Sequence, residues 1–249
     1  MMSLYMKIIH QNIFHIFNKN NVKATFFTLG CVAERHPDLI KEIVEQGHEL
    51  ASHGYAHQKA TTQTPDECRD DLIKAKTLLE SISGQKIIGY RAPSFSISEE
   101  NEWAFEIIKE TGHLYSSSTY SIAHDHYGSP DWPDVPHEPV TGLMELPQAS
   151  VKALGRVLPA GGGGYFRLFP YCFSKRLIKL FSEQKSHPYI FYFHPWEVDP
   201  EQPVVKGASV KSQFRHRVNL GRMLNKIDKL TKDFAFVSIS DAFDIKETV

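Results

Sequence analysis

The sequence predicts an α/β fold built on parallel strands, and three observations support this prediction. Strand-like runs rich in β-branched and aromatic residues alternate with amphipathic helical patterns about six times along the 249 residues. No break in composition divides the chain, and no internal repeat is visible. We therefore expect one α/β domain, whose strands either close into a barrel or form a doubly wound sheet.

The first half of the chain has clear signals for the ends of its elements. The segment 64–67 is a capping box with proline at the first helical position, and Gly84 follows the helix that it opens. Pro37 and Gly47 mark the start and the end of the preceding helix. The expected elements are helix 4–19, strand 22–29, helix 37–46, strand 48–52, helix 65–83, strand 87–90 and helix 98–111.

The second half is less regular. A proline-rich loop is expected over residues 118–141, and a loop of this length is uncommon in a compact domain and often functional. Glycines 161–164 lack the Lys-Ser/Thr of a phosphate loop, so no nucleotide cradle is expected. The other expected elements are strand 113–115, strand 143–146, a flexible connection at 161–164, helix 170–183, strand 189–193, a basic helix around 212–231, strand 234–237 and a terminal helix.

The charge, the cysteines and the apolar runs of the chain exclude several classes of protein. The 28 basic and 29 acidic residues give a net charge of −1, so we expect neither a nucleic-acid partner nor attraction to an anionic membrane. Cys31, Cys68 and Cys172 lie far apart, which favours buried thiols in a reducing compartment. No stretch reaches the roughly 18 apolar residues that span a bilayer. No cleavage site follows residues 4–17, and we therefore expect a cytoplasmic protein.

Side chains capable of chemistry follow several of the expected strands. His53 and His57 lie just after strand 48–52, and neutral imidazole is the commonest ligand for zinc and related metals. In a chain with thirteen histidines, about one pair at this spacing is expected by chance. The pair is therefore evidence for a metal site only together with the residues around it. Arg91 follows the next strand, and His194 follows the late one. Because active sites of parallel α/β barrels lie at the carboxyl ends of the strands, we expect these residues to converge.

Each of these residues also has a simpler interpretation. His194 could be a satisfied histidine at a strand end, and Arg91 could form a surface salt bridge. Trp103 and Trp132 could be ordinary packing residues. The triplet His124-Asp125-His126 has the chemistry of metal ligands but is expected to be exposed in the proline-rich loop. No Gly-x-Ser-x-Gly elbow occurs, which removes the commonest serine hydrolase interpretation.

Three motifs together resemble the polysaccharide deacetylases of the NodB-homology type, carbohydrate esterase family 4. They are Ser52-His53 with His57, Arg91-Ala92-Pro93-Ser94-Phe95, and Phe193-His194-Pro195-Trp196-Glu197. Three further motifs look like the branch associated with bacterial exopolysaccharide synthesis and exosortase loci: Thr25-Phe26-Phe27, the glycines 161–164 with Tyr165-Phe166-Arg167, and Phe214-Arg215-His216. The resemblance covers roughly residues 12–245.

The resemblance implies a distorted (β/α) barrel of about seven strands and hydrolysis of N-acetyl groups on an amino-sugar polysaccharide. His53 and His57 match histidines that bind a divalent metal, zinc or else cobalt or nickel, together with an aspartate. A second aspartate acts as base in the family. Arg91 matches the arginine that orients this base, and His194 matches the general acid. Four residues are expected to contact the substrate: Tyr55, Pro93, Phe95 and Trp196.

The sequence departs from the family pattern at two points. In the family both aspartates follow a first strand that precedes the helix matching residues 4–19, and this sequence begins within that helix. We therefore expect the first strand, the base and one metal ligand to be missing, with sheet edges left unpaired that invite association. Ser116 stands where many relatives carry an aspartate. Three residues are candidate replacements for the missing ligand: Asp125, Glu145 and Glu197.

We expect a single NodB-homology domain over residues 1–249, with a family-specific C-terminal portion at about 195–249. Two explanations of the missing aspartates are open. Either the chain is part of a longer metal-dependent deacetylase in exopolysaccharide biosynthesis, or it is a short form that serves as a non-catalytic carbohydrate-binding or scaffold pseudoenzyme. A metallohydrolase of small amides is a third possibility. For the first two, the expected partner is an N-acetylated polysaccharide or oligosaccharide.

Overall fold

A computed structural model describes residues 2–122, 128–153, 155–203, 207 and 209–246 of the chain. The triplet His124-Asp125-His126 lies outside these residues. The fold divides into two units: Lys23–Gln148 with Val237–Val249, here called the sheet unit, and Met1–Val22 with Ala149–Phe236, here called the helical unit. None of the described helices combines the length and the apolar character that crossing a bilayer would require.

The elements follow one another in an alternating order. Within the described residues the α-helices are α1 Met2–Lys19, α2 Gly30–Arg35, α3 Pro37–Glu45, α4 Pro65–Ser83, α5 Trp103–Glu110, α6 Gly163–Leu168, α7 Tyr171–Gln184, α8 Val210–Arg217, α9 Leu220–Asp233 and α10 Ile239–Ala242. The strands are β1 Thr25–Thr28, β2 Glu49–Ser52, β3 Gly89–Tyr90, β4 Tyr115–Ser116, β5 His137–Val140, β6 Leu143–Glu145, β7 Ser150–Ala153 and β8 Arg156–Pro159. Short 3₁₀ turns lie at Ala60–Thr62, Pro93–Phe95, Glu99–Asn101 and Pro195–Val198.

The sheet unit is built on six strands in the order β1-β2-β3-β4-β6-β5. Neighbouring strands from β1 to β6 run parallel, with Phe26 opposite Leu50 in the first pair and Tyr90 opposite Ser116 further along. Only β5 runs antiparallel, against β6. The carboxyl ends of β1 to β4 and of β6 therefore share one edge of the sheet. This mostly parallel sheet confirms the predicted α/β class.

Helix ends in the sheet unit are set by local sequence. The hydroxyl of Thr64 accepts a hydrogen bond from the amide of Glu67 at 3.3 Å, and the Glu67 carboxylate accepts one from the Thr64 amide at 2.8 Å. Gly84 ends α4 with a φ of 69°. Helices α4 and α5 cover the core with side chains such as Leu72 and Ile108, both fully buried. Burying such a side chain stabilises the fold by about 1.5–3 kcal/mol.

The helical unit contains two groups of buried apolar side chains. The buried face of α1 has the helical spacing that the sequence predicts and includes Ile9, Ile13, Ile16 and Phe17. Helix α1 contacts α9 and the 3₁₀ turn Pro195–Val198. The antiparallel hairpin of β7 and β8 packs on α7, with Val151 and Phe181 in a second cluster.

Two predicted strands are wrong. Residues 189–193 form only one bridge, in which Tyr192 pairs with Gly162. Residues 234–237 form no strand and pair with none in the described part of the chain. A run of β-formers becomes a strand only where a partner backbone lies beside it, and the sequence does not show the partner. The basic helix around 212–231 is two helices, because Asn219 adopts a φ of 55° between α8 and α9.

Other elements were not predicted. Helix α2 and the hairpin β7–β8 were missed, and the proline-rich loop contains β5, a strand at the edge of the sheet. An edge strand tolerates Pro139 because it needs hydrogen bonds on one side only. The expected connection at 161–164 runs directly into α6. Of the cysteines expected to be buried, Cys68 is buried, Cys31 is half-buried and Cys172 is exposed.

Candidate active site

The loop after β2 carries both predicted metal-binding histidines, His53 and His57. Two hydrogen bonds from the first turn of α2, of 2.9 and 3.0 Å, hold the loop by its backbone carbonyls. The Asp71 carboxylate accepts a hydrogen bond from the amide of Tyr55 at 2.8 Å. Gly54 has a φ of 76°, and a Cβ on it would lie 2.6 Å from Asp71 Oδ2. The loop therefore needs glycine at this position in order to wrap around Asp71.

The two imidazoles lie close together at the sheet edge. Their ring centroids are 5.2 Å apart with nearly perpendicular planes, and His53 is half-buried whereas His57 is exposed. His53 Nδ1 is 2.7 Å from the backbone carbonyl oxygen of Arg91. A ring nitrogen facing a carbonyl oxygen donates its proton, so the neutral ring carries its lone pair on Nε2. Such an orienting hydrogen bond is typical of a histidine that binds a metal.

The donor chemistry of this pair fits a divalent metal as two of its ligands. The described residues, however, contain no group of three His, Cys, Asp or Glu side chains that could hold an ion. Catalytic zinc usually has three protein ligands. Of the candidate replacements, Asp125 lies outside the described residues. Glu145 and Glu197 are both buried and hydrogen-bonded to other groups.

Arg91 follows β3 and is buried, with 8% of its surface exposed. Its Nε donates to the backbone oxygen of Ser117 and its guanidinium also donates to the Ser117 hydroxyl, both at 2.9 Å. The guanidinium carbon lies 4.0 Å from the ring centroid of Phe27 and 5.6 Å from that of Phe95. The interpretation of Arg91 as a surface salt bridge is therefore wrong. The structure brings Arg91 to the same sheet edge as His53.

A buried carboxylate organises the turn that binds Arg91. Oε1 of Glu145 accepts hydrogen bonds from the amide of Ser118 (2.8 Å) and from the amide and hydroxyl of Thr119 (2.9 and 2.8 Å). Its Oε2 has no hydrogen-bond partner within the described residues. Ser116, which stands where the family pattern has an aspartate, donates to the Ser118 hydroxyl at 2.7 Å. Glu145 and the serines thus form one buried network next to Arg91.

Three of the four expected substrate contacts belong to the sheet unit. The hydroxyl of Tyr55 donates to Glu34 at 2.8 Å, and the Lys74 ammonium lies 3.4 Å from the centroid of its ring. Pro93 and Phe95 are buried in the 3₁₀ turn that follows Arg91. Phe95 adopts a φ of 48°. A positive φ is costly for a bulky residue, so this turn is held in a strained conformation.

His194 lies in the helical unit, at the start of the turn Pro195–Val198. Its Nδ1 is 3.1 Å from Oε1 of Glu197, and its amide donates to the same oxygen at 3.0 Å. Arg167 Nε donates to the other oxygen of Glu197 at 2.7 Å. The Arg167 and Glu197 side chains are each 2% exposed, whereas the His194 side chain is 53% exposed. An exposed imidazole is thus held by a buried ion pair.

The charge state of Glu197 suits this arrangement. Burial raises the pKa of the carboxyl, but the hydrogen bonds and charge of His194 and the hydrogen bond from Arg167 outweigh burial and hold the pKa below its ordinary value. An ionised carboxylate at Nδ1 fixes the orientation of the imidazole and selects the tautomer with its proton on Nδ1. The exposed side of the His194 ring is thereby held in one direction.

Trp196, the fourth expected substrate contact, packs within the same cluster. Its ring stacks with those of His194 and His216, with centroids 5.6 and 4.2 Å apart. The Arg167 guanidinium lies 5.4 Å from the ring centroid. Burial, together with the positive charges of Arg167 and Arg217, lowers the pKa of His216. The contact of Trp196 with substrate stays a prediction.

Sequence reasoning missed the partners of the predicted residues. Arg167 was noted only as part of a glycine-rich motif, and Glu145 only as a replacement ligand. Glu197 was noted as a replacement ligand and as the end of the motif that begins at Phe193, but not as the partner of His194. One signal was present: Glu197 follows His194 by three residues, the spacing at which a glutamate caps the amide at a helix start. The pairing of Arg167 with Glu197 crosses 30 residues and has no local signal.

The fold and the site together define an α/β protein with a histidine pair and an arginine at the carboxyl edge of adjacent parallel strands. Comparison with protein families agrees with this class. Residues 6–116 match the polysaccharide deacetylase family, and residues 117–244 match a domain of unknown function, DUF3473. The latter match covers just over half of the chain, so the protein belongs to the DUF3473 family. Its N-terminal part is a polysaccharide deacetylase domain of the NodB type.

Similar known proteins match a little over a third of the chain. The chain is 36% identical over 96 residues to a peptidoglycan deacetylase-like protein of Gibberella zeae, which covers 39% of this chain and 28% of that protein. It is 37% identical over 89 residues to a peptidoglycan-N-acetylglucosamine deacetylase of Bacillus cereus, covering 35% of this chain and 32% of that protein. The match thus spans about a third of the length of these relatives.

Solved structures share the fold over nearly the whole chain. A peptidoglycan N-acetylglucosamine deacetylase superposes with a TM-score of 0.54 at 19% identity, covering 96% of this chain and 83% of that one. A CE4 family pseudoenzyme from Bacillus anthracis superposes with a TM-score of 0.54 at 18% identity, covering 99% of this chain and 63% of that one. At these identities the likeness establishes the fold alone.

Proposed function

We propose that the protein takes part in the metal-dependent hydrolysis of N-acetyl groups on an amino-sugar polysaccharide during exopolysaccharide biosynthesis. One observation carries the proposal. His53, oriented by the Arg91 carbonyl and 5.2 Å from His57, lies within the segment that matches the polysaccharide deacetylase family. Divalent metals commonly bind imidazoles that are oriented by such a hydrogen bond, and this pair would supply two of the ligands.

In this proposal His53 and His57 would hold the metal through their imidazole nitrogens. When bound, a divalent cation would supply polarisation of the acetamide carbonyl and would make water a better nucleophile at neutral pH. Arg91 contributes a buried positive charge at the same edge, where its contacts with Ser117 and Phe27 fix its direction. In the resembling family the matching arginine orients the base, and within the described residues we assign no group to that base.

His194 is proposed to protonate the leaving group. Hydrolysis forms a bond between the water oxygen and the carbonyl carbon and breaks the carbon–nitrogen bond, so the departing amine requires a proton. An exposed imidazole paired with an ionised, buried Glu197 can supply this proton. Arg167 keeps the carboxylate of Glu197 in place, which makes Arg167 a positioning residue.

A second candidate function is glycan binding without turnover. The observation that favours it is the lack of a third metal ligand within the described residues. Such a protein would present sugar-binding side chains from the carboxyl edge of the sheet without hydrolysing the sugar's N-acetyl group. The two candidates differ in one measurable property, the release of acetate.

The test is acetate release from an N-acetylglucosamine hexamer with added Zn²⁺ or Co²⁺. For a working deacetylase we expect His53→Ala and His57→Ala each to reduce the rate by roughly a hundredfold or more, because each removes a metal ligand. The matched control is His15→Ala, which removes an exposed histidine of α1 and should leave the rate unchanged.

The alternative outcomes separate the candidates. Acetate release that persists in His53→Ala would refute the metal role of this pair. Binding of the hexamer without any acetate release would favour the glycan-binding candidate. Competition between the hexamer and small acetamides would show whether a small amide is the preferred substrate.

A further inference from the structure

A cavity of about 430 Å³ lies in the sheet unit, and the proposed mechanism does not use it. It is lined by residues of α5 and of the segment 132–140. Three aromatic residues, Trp103, Phe105 and Trp132, line it together with two acidic ones, Glu102 and Glu106. This volume lies within the range of pockets that bind small ligands.

The cavity is lined by aromatic side chains that pack on the core and by acidic side chains that are exposed. Phe105 is buried in the core, and its ring lies 5.9 Å from that of Trp132 at an angle of 31°. Trp103 and Trp132 are only half-buried, so part of each indole remains accessible. Glu102 and Glu106 are exposed and lie one helical turn apart at the start of α5. Both indoles also pack against the hydrophobic core, as the simpler interpretation of Trp103 and Trp132 expects, and their accessible parts line the cavity next to the two acidic groups.

The chemistry of the lining selects a type of ligand. Indole rings pack on the apolar faces of sugars and attract cations to their π faces. The carboxylates of Glu102 and Glu106 accept charge-assisted hydrogen bonds from an ammonium group. Within the described residues, no lysine or arginine lines the cavity. A sugar that carries a protonated amine satisfies the aromatic and the acidic groups together.

The position of the cavity relates it to the histidine pair. His137 lines the cavity and pairs in register with Glu145, the last residue of β6 and thus at its carboxyl end. The cavity therefore reaches the sheet edge that carries His53. Four strand spacings separate β2 from β5 in the strand order, which corresponds to roughly 19 Å. A glycan chain of several units spans such a distance.

We infer that this cavity is a second glycan site that binds units of the polymer with free, cationic amines. Aromatic rings pack on the sugar, and Glu102 and Glu106 pair with the ammonium group. The site would retain a polymer that is already partly deacetylated while further units reach the histidine pair. The inference rests on the proposed function for the identity of the polymer.

The test is titration calorimetry of the full chain with a glucosamine tetramer. We expect the double variant Glu102→Gln/Glu106→Gln to bind this tetramer about tenfold more weakly than the unmodified protein, because it loses the charge-assisted contacts. The matched control is Glu99→Gln/Glu100→Gln, which removes the same charge from exposed positions a few residues earlier and outside the cavity lining. This control should bind as the unmodified protein does.

Two comparison ligands complete the test. The N-acetylglucosamine tetramer should bind equally to all three proteins, and the neutral cellotetraose should bind more weakly than the glucosamine tetramer. Equal affinity of both double variants for the glucosamine tetramer, or equally tight binding of cellotetraose, would overturn the inference. Because no acetate is measured, a failure here is distinct from a failure of the proposed deacetylation.

Discussion

His53 and His194 are held by different physical means. The ring of His53 donates to a backbone oxygen of Arg91, and its loop is shaped by backbone hydrogen bonds and by Gly54. The ring of His194 faces the carboxylate of Glu197, which is held in turn by the buried guanidinium of Arg167. One imidazole thus depends on the course of the backbone and the other on a side-chain ion pair.

The two regions are therefore sensitive to different substitutions. A site that is held by backbone hydrogen bonds tolerates many side-chain substitutions, but it does not tolerate a residue that cannot adopt the φ of its turn. A site held by a buried ion pair fails when one partner is removed, because the remaining charge is left in a medium of low dielectric constant. Substitutions of Arg167 and of Gly54 therefore test the comparison directly.

The largest effect is expected from Arg167→Met. Methionine keeps much of the side-chain volume but leaves the Glu197 carboxylate buried without its guanidinium partner. Arg167 also donates to three backbone carbonyls of residues 215–218, which would lose their donor. We expect the free energy of unfolding in urea to fall by about 3–5 kcal/mol.

The matched control for this variant is Lys175→Met. Lys175 pairs with Asp233 at 2.8 Å, but both side chains are about one-third exposed. Such a solvent-exposed pair contributes little to stability, because water screens the two charges. The comparison would fail if Arg167→Met cost no more than Lys175→Met. Adding Glu197→Gln to Arg167→Met should recover part of the loss, since it removes the uncompensated charge.

A smaller effect is expected from Gly54→Ala in the histidine loop. A left-handed φ costs an L-residue about 1–2 kcal/mol. The new Cβ would also displace Asp71, which accepts the amide of Tyr55, and a lost hydrogen bond costs about 1 kcal/mol more. The total of about 2–3 kcal/mol can be measured by urea denaturation.

Gly155→Ala separates the two contributions. Gly155 has a φ of 73°, close to the 76° of Gly54, but nothing lies within 4 Å of a Cβ placed there. It therefore carries the conformational cost without the clash. Equal losses in the two variants would mean that Asp71 does not shape the loop.

The parts of this fold that the sequence predicts are those with local causes. The capping box at Thr64, the helix-ending Gly84 and the position of His53 and His57 after β2 all follow from neighbouring residues. The supposed strand at 189–193 fails for the opposite reason. Its residues favour a strand, but a strand also needs a partner elsewhere in the chain.

The candidate site divides in the same way. His53, His57 and Arg91 were identified because they follow expected strands, and neighbouring parallel strands have their carboxyl ends at the same edge of the sheet. The residues that hold these side chains in place were not identified, because their hydrogen bonds join distant parts of the sequence. Glu145 and Ser118 are 27 residues apart, and Arg167 and Glu197 are 30 residues apart. A single sequence shows which side chains are chemically capable, whereas the packing of the fold decides which side chains support them.

The smallest effect is expected from a change of pH and concerns His113, a buried histidine of the sheet unit. Burial, and then the charge of Lys76, lowers the pKa of His113 from 6.5 to about 3. Below pH 6.5 His113 therefore binds a proton in the unfolded chain but stays neutral in the folded chain. The free energy of unfolding falls as the pH falls from 6.5 towards 3. One such group contributes up to about 1.4 kcal/mol per pH unit.

The contribution of Glu197 lies in a lower window. Its pKa is depressed below the ordinary 4.5, so its stabilisation is complete above that pH and is lost only as the pH falls further. Urea denaturation between pH 6.5 and 4.5 should therefore give a shallower slope of stability against pH for His113→Gln than for the unmodified protein. His15→Gln, at an exposed position, should keep the original slope. Parallel slopes for all three proteins would show that His113 takes up its proton equally in the folded and the unfolded state, which would contradict a pKa of about 3 in the folded protein.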